Sequence, residues 1–211
     1  MQIGILGSGL MGGTLGTLFA RAGHDVAFSY SRSAARLDAL ARHAGGRARA
    51  GAPAEAARDA DVVLLAVPWG QVDDVLHRAG DLTGKVLVTC SLPLDGHSAF
   101  VVAGTSSGAE ETARKAPGAR VVSAFGTLPH EVLVAVFEAR DRAPRPGLVY
   151  CGDDAEAKEV TAQLIRDVGY EPEDAGGLRM ARYAEAFTML VARLAYEGEG
   201  GPALAYRFER Y

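Results

Sequence analysis

The 211-residue sequence predicts an α/β fold, a doubly wound parallel sheet followed by a small C-terminal α/β portion. Three observations predict it. Short apolar runs alternate with amphipathic stretches from the first residues onward, the βαβ rhythm of a parallel sheet with right-handed crossovers. The run 62–67, closed by Pro68, is apolar at every position, as a parallel strand covered on both faces requires. The chain also opens with strand-like residues 1–6 leading straight into Gly7-Ser8-Gly9-Leu10-Met11-Gly12, a G-x-G-x-x-G loop between strand and helix. Together these describe the Rossmann arrangement.

The elements follow in order. Residues 3–6 form the first strand, 10–22 the first helix, and the turn Gly23-His24 leads to a second strand over 26–29. Ser33 caps a helix running to about His43, with Leu37 and Leu40 on its inner face, and Gly45-Gly46 ends it. A short third strand over 47–50 and a short helix over 54–59 precede the buried strand 62–67. Helix 71–79, strand 86–89, helix 108–116 and strand 121–125 complete the regular part. The segment 92–107 is the longest loop, and long loops in compact domains are often functional. Beyond Phe125 the rhythm loosens into an apolar run at 148–151, a helix from Asp153-Asp154 to about Val168, a longer helix over 179–196, and a short final segment at 203–206. The cofactor domain is therefore placed at 1–125 and a smaller C-terminal part at 126–211. On the last helix Tyr183, Phe187, Leu190 and Leu194 recur at three- and four-residue spacing. That stripe packs either on the chain's own core or on a second subunit, and a homodimer is expected.

Composition narrows the function classes. Apolar residues make up 48% and charged residues 23%, the balance of an ordinary globular protein. A net charge of −4 gives no electrostatic basis for nucleic acid or an anionic membrane as partner. The longest apolar run is too short to span a bilayer, and no charged-then-apolar leader precedes the first strand, so a cytoplasmic setting is expected. Cys90 and Cys151 lack C-x-x-C or His-rich spacing and read as reduced, buried thiols, with no metal site. No G-x-S-x-G, H-E-x-x-H or paired-carboxylate pattern suggests a hydrolase. Asp153 and Asp154 read as a helix cap. His97 and His130 read as loop residues with local bonds or as donors to a ring or phosphate.

In the opening loop Gly7 permits the tight turn, Gly9 admits a pyrophosphate to the backbone, and Gly12 lets helix and strand pack closely. The helix start then offers unpaired N–H groups and partial positive charge to phosphates. A binder of NAD places an acid near the end of the second strand for the ribose 2′-hydroxyl. Here that stretch reads Ser29-Tyr30-Ser31-Arg32-Ser33 and holds no carboxylate. Ser31 and Arg32, with Arg36 one turn on, suit a 2′-phosphate, so NADP(H) is the expected nucleotide.

Several stretches together resemble the NADPH-dependent reductases of the deazaflavin coenzyme F420. They are 4–9, Ser31-Arg32, Ala66-Val67-Pro68-Trp69, the run 122–129 ending in Gly126-Thr127-Leu128-Pro129, the run 149–154, and the C-terminal 200–208. The resemblance covers essentially the whole chain. It implies reversible hydride transfer between NADP(H) and coenzyme F420, with no certain acid–base residue. Phosphate contacts at Gly7, Ser8, Gly9, Leu10, Met11 and Gly12 are implied, with Ser31, Arg32 and Arg36 at the 2′-phosphate. Val67, Pro68 and Trp69 would flank the nucleotide. Thr127, Leu128 and Pro129 would position the rings, and Gly126, Gly201 and Pro202 would complete the second-substrate side. Members of that family usually carry His or Asn where this chain has Gly126. A flavin, quinone or small carbonyl acceptor, or a non-catalytic NADPH-sensing module, therefore stays open beside F420.

Overall fold

The computed structural model describes residues 1–31 and 33–211. Eight strands form one sheet: β1 (Gln2–Leu6), β2 (Asp25–Ser29), β3 (Arg49–Ala50), β4 (Val62–Leu65), β5 (Val86–Thr89), β6 (Arg120–Ser123), β7 (Gly147–Gly152) and β8 (Glu171–Asp174), in the spatial order β3-β2-β1-β4-β5-β6-β7-β8. The first six run parallel, β7 is antiparallel to β6, and β8 is parallel to β7. The strand order reverses between β1 and β4, where Leu6 pairs with both Ser29 and Leu65. In open α/β sheets the crevice beyond the strand carboxyl ends at such a reversal is where ligands sit. This is the doubly wound α/β architecture predicted above.

Strand alternation divides the core between two faces. Ile3, Ile5, Val62, Leu64, Val86, Val88 and Val122 point to one face. There they bury the apolar sides of α1 (Leu10–Arg21), α2 (Ala34–Ala44), α6 (Leu133–Glu138) and α7 (Ala155–Asp167). Leu6, Val63, Leu65, Leu87 and Val121 point to the other. They meet α3 (Pro53–Arg58), α4 (Val72–Ala79), α5 (Gly108–Lys115) and the start of α8 (Ala181–Glu197). Each of these fully buried aliphatic side chains contributes roughly 1.5–3 kcal/mol. Local chemistry sets the helix starts. Ser33 Oγ accepts from Arg36 N, Ser107 Oγ from Glu110 N, and Asp154 from Ala157 N.

Several boundaries shift from the sequence expectation. β4 ends at Leu65 and β6 at Ser123, two residues early in each case. Phe125 has φ 64°, a left-handed conformation that no strand continues through. Residues 69–71 form a 3-10 turn before α4. Two elements were not expected. β8 reads Glu-Pro-Glu-Asp and lacks any apolar alternation, because it pairs only at the sheet edge with β7. α6 reads Leu-Val-Ala-Val-Phe-Glu, five apolar residues in succession and too short to show a helical period.

The C-terminal stripe, open between the chain's own core and a second subunit, faces away from the core at three of its four positions, with Phe187 half-buried against Tyr206. Tyr183, Leu190 and Leu194 are 62%, 56% and 53% exposed, and the face of α8 packed on the chain is Ala181, Glu185, Thr188, Val191 and Ala195. Ala181, Thr188, Val191 and Ala195 let α8 lie close to the chain, and Glu185 enters the same face to reach the start of α5.

Candidate active site

The loop after β1 is built by hydrogen bonds to the end of β2. Gly7 N donates to Ser29 O at 3.2 Å, Ser8 Oγ donates to the same oxygen at 2.9 Å, and Ser29 Oγ donates to Ile5 O at 2.7 Å. Gly7 has φ 110°, and a Cβ there would lie 2.4 Å from Ala66 O. A Cβ on Gly12 would lie 1.9 Å from Gly7 O, so helix and loop touch backbone to backbone. Gly9 differs: a Cβ built on it meets nothing within 4 Å. Its surface faces open space, as a loop meant to receive a ligand requires. The first bond of α1 runs from Gly13 N to Gly9 O at 2.9 Å. The amides of Leu10, Met11 and Gly12 precede it, at the positive end of the helix dipole. No acidic residue occupies that first turn.

A cleft of about 280 Å³ opens over this loop. Gly7, Ser8 and Gly9 form its floor, Ser31, Ser33 and Arg36 one side, and Val67 and Pro68 the other. No carboxylate lines it. Arg32 lies outside the described residues. Leu10 is 67% exposed at the helix start, while Met11 packs half-buried on the core. Trp69 is half-buried against the opposite core face. Ser91 fixes the Val67 wall: Val67 N donates to Ser91 Oγ at 3.1 Å.

A second cleft of about 730 Å³ continues from the first and shares Tyr30, Ser31 and Gln71 with it. Tyr30, with φ 59°, points its ring across to α4 and donates from its hydroxyl to Asp74 Oδ2 at 2.8 Å. Arg78 sits 6.0 Å from the ring centroid and pairs with the same carboxylate at 2.9 Å. Burial, then Asp74, pushes the Tyr30 phenol above its usual range, and the Tyr30 and Arg78 bonds hold Asp74 below its own. This aromatic wall was missed in the sequence. Asp74 and Arg78 at i, i+4 read as a surface ion pair, and nothing in the spacing ties them to Tyr30.

On the far side of the sheet's reversal, the loop after β6 carries the remaining candidates. Gly126 is half-buried, and a Cβ there would make ordinary contacts of 3.6 Å with Cys90 O and Leu92 Cδ2. A Cβ is therefore accommodated where glycine stands. Thr127 is buried, its hydroxyl 2.7 Å from the Tyr206 hydroxyl. Leu128 packs into the core, and Pro129 precedes a 3-10 turn at His130–Val132. Thr188 Oγ1 on α8 lies 3.1 Å from Gly126 O. Gly201 is exposed and Pro202 half-buried, in the turn that follows α8. Through the Thr127–Tyr206 bond the C-terminal tail and this loop come together.

Titratable groups nearby are few. Burial pushes the Cys90 thiol up to about 12, so it stays protonated. His130 pairs with Glu131 at 3.1 Å, and His97 lies exposed on the 92–107 loop. Glu185 is the unexpected one. It is 6% exposed, and its carboxylate accepts from Gly108 N at 2.9 Å and Ala109 N at 3.1 Å, capping α5 from α8. Burial pushes it up to about 7 against those two bonds, and neighbouring Glu110 adds to the push. Glu110 is held low chiefly by its paired bonds to Arg182, at 2.7 and 2.6 Å. Among the described residues no cluster of three His, Cys, Asp or Glu has metal-binding geometry.

Residues 2–93 match the family described as NADP oxidoreductase, coenzyme F420-dependent. The F420-dependent NADP reductase of Methanocaldococcus jannaschii is 31% identical over 147 residues, 66% of this chain and 64% of that protein. The metalloreductase STEAP3 of Rattus norvegicus is 30% identical over 191 residues, 89% of this chain and 36% of that protein. The chain thus spans just under two thirds of one of these curated relatives and about a third of the other. The crystal structure of a putative F420-dependent NADP reductase from Arthrobacter sp. FB24 superposes with a TM-score of 0.86 at 26% identity, covering 100% of both chains.

Proposed function

This chain is a relative of the coenzyme F420-dependent NADP oxidoreductases, and we propose that it transfers hydride between NADP(H) and coenzyme F420. The observation that carries the nucleotide half is the 280 Å³ cleft, with three serines, an arginine and a helix start around it and, among the described residues, no carboxylate. A 2′-phosphate brings negative charge that this lining favours and an acid would repel. The open space over Gly9 is the approach a pyrophosphate needs.

Residues 1–125 hold NADP(H) in this reading. Gly7, Ser8, Gly9, Leu10, Met11 and Gly12 receive the pyrophosphate, and Ser31, Arg32 and Arg36 the 2′-phosphate. The adenine occupies the larger cleft beside Tyr30. Val67, Pro68 and Trp69 flank the nicotinamide end. Residues 126–211 complete the acceptor side, with Gly126, Thr127, Leu128 and Pro129 facing Gly201 and Pro202. NADP(H) supplies or accepts the hydride when bound. The chain's own residues hold the two rings in register and exclude water, which is what such an exchange asks of a protein.

Gly126 supports a second reading of the acceptor. With no side-chain donor there, a flavin, a quinone or a small carbonyl compound competes with F420. A sensing module would bind NADPH and turn over none of them. The outward apolar face of α8 at Tyr183, Leu190 and Leu194 supports a homodimer, and two free cysteines support a reducing, cytoplasmic setting. Anaerobic mixing with NADPH and each acceptor class separates these readings, because only the productive acceptor is reduced.

A further inference from the structure

The chain after α8 has no helix or strand, yet its Tyr206 is fixed at three points. Its carbonyl accepts from Gly147 N at 2.8 Å, and its hydroxyl accepts from Val149 N at 3.1 Å. That leaves the phenol proton for Thr127 Oγ1, 2.7 Å away. The ring stands edge-on to Phe187 of α8 at 5.1 Å and to Phe208 at 5.6 Å. Segments without regular structure stay ordered only where side chains hold them. Here one phenol joins the first residues of β7, the helix α8 and the loop after β6. The tail itself begins at Gly200 and Gly201, whose φ values of 103° and 80° turn the chain back from α8.

We propose that Tyr206 is a positioning residue that straps the Gly126–Pro129 loop to the C-terminal turn at Gly200–Pro202. This rests on the reading above, in which those two segments are the walls of the second-substrate site. Thr127 is buried as well as bonded to Tyr206, so its part in the site is to place the loop, and the ring of the acceptor meets the backbone that Thr127 holds. Nothing in the nucleotide cleft depends on the strap, since neither Thr127 nor Tyr206 lines it.

The test uses the full chain with Tyr206→Phe, which keeps the ring against Phe187, and Thr127→Val, which removes the other end of the same bond. Amide exchange across 124–132 in the ligand-free protein should run about tenfold faster in either variant, the cost of one buried hydrogen bond. The KM for coenzyme F420 should rise by about tenfold while the NADPH dissociation constant stays at the wild-type value. The double variant should be no worse than either single one, because both remove one interaction. Unchanged exchange in both single variants overturns the strap. So do additive effects, or faster exchange spread evenly over the chain with a lowered Tm, which marks a purely structural tyrosine. A wild-type protein inert toward F420 would overturn the acceptor reading instead, and the exchange data would still decide the strap.

Discussion

Two glycines three residues apart should respond to substitution in opposite ways. A Cβ on Gly12 lies 1.9 Å from Gly7 O, whereas carbon and oxygen close at roughly 3.3 Å. Gly12→Ala therefore has to separate backbone from backbone by over an ångström in the packed layer between α1 and β1. Ordinary overpacking costs about 1–3 kcal/mol. Here neither partner is a flexible side chain, so the cost falls in the rarer range above about 4 kcal/mol. At about 2–4 °C per kcal/mol for a chain of this size, Tm drops by roughly 8 °C or more. Gly9 has φ −79° and ψ −155°, extended backbone with the negative φ of ordinary residues, and its Cβ position is empty. Gly9→Val should melt with the wild type. It blocks the approach of the pyrophosphate to charge-assisted amide bonds worth about 1.5–3 kcal/mol each, so NADPH affinity falls on the order of a hundredfold. Thermal denaturation and fluorescence titration of NADPH read both effects. A Gly9→Val protein that binds NADPH as the wild type does would refute the placement of the pyrophosphate. A Gly12→Ala protein with wild-type Tm would refute the packing argument.

Arg32→Ala should weaken NADPH binding by roughly tenfold or more and leave NADH binding alone, since only the former carries the 2′-phosphate; equal loss for both would move that phosphate elsewhere. Glu185 predicts a pH signature. Its folded pKa of about 7 lies above its unfolded value, so its contribution to stability is present at low pH and is lost as pH rises toward and through 7. The unfolding free energy of the wild type should match that of Glu185→Gln near pH 5 and fall below it by pH 8, by an amount on the order of 2–4 kcal/mol in denaturant titrations; a pH-independent difference would show that burial does not govern this carboxyl. Introducing charge on the outer face of α8 with Leu190→Glu and Leu194→Glu should convert a dimer to a monomer by light scattering, whereas a monomeric wild type would leave that face without a second copy.

The parallel half of the fold was legible because its signals are local. The buried run at 62–67 and the G-x-G-x-x-G loop depend on residues adjacent in sequence, as do the caps at Ser33 and Asp154. Their place at the reversal of strand order follows from the same alternation. What was not legible depends on partners far along the chain. β8 has no pattern of its own and exists through pairing with β7. The stripe on α8 carries a helical period but not the direction it faces, because the face that meets α5 and the sheet is set by Ala181, Glu185, Thr188 and Val191. Tyr30 with Asp74 spans 44 residues, Glu185 with Gly108 spans 77, and Thr127 with Tyr206 spans 79. The first of these pairs lines the larger cleft, and no spacing rule connects any of the three. Gly126 was singled out in the sequence for the side chain it lacks, and its surroundings accept a Cβ at ordinary contact distance.

The central claim is hydride exchange between NADP(H) and a deazaflavin, and rapid mixing tests it most directly. Under anaerobic conditions the protein is mixed with NADPH and oxidised coenzyme F420, and loss of the deazaflavin absorbance is followed, with NADH as the control. The account predicts fast bleaching with NADPH and far slower bleaching with NADH. Tight NADPH binding with no bleaching would contradict it and give the acceptor side, with Gly126 at its centre, to a different substrate.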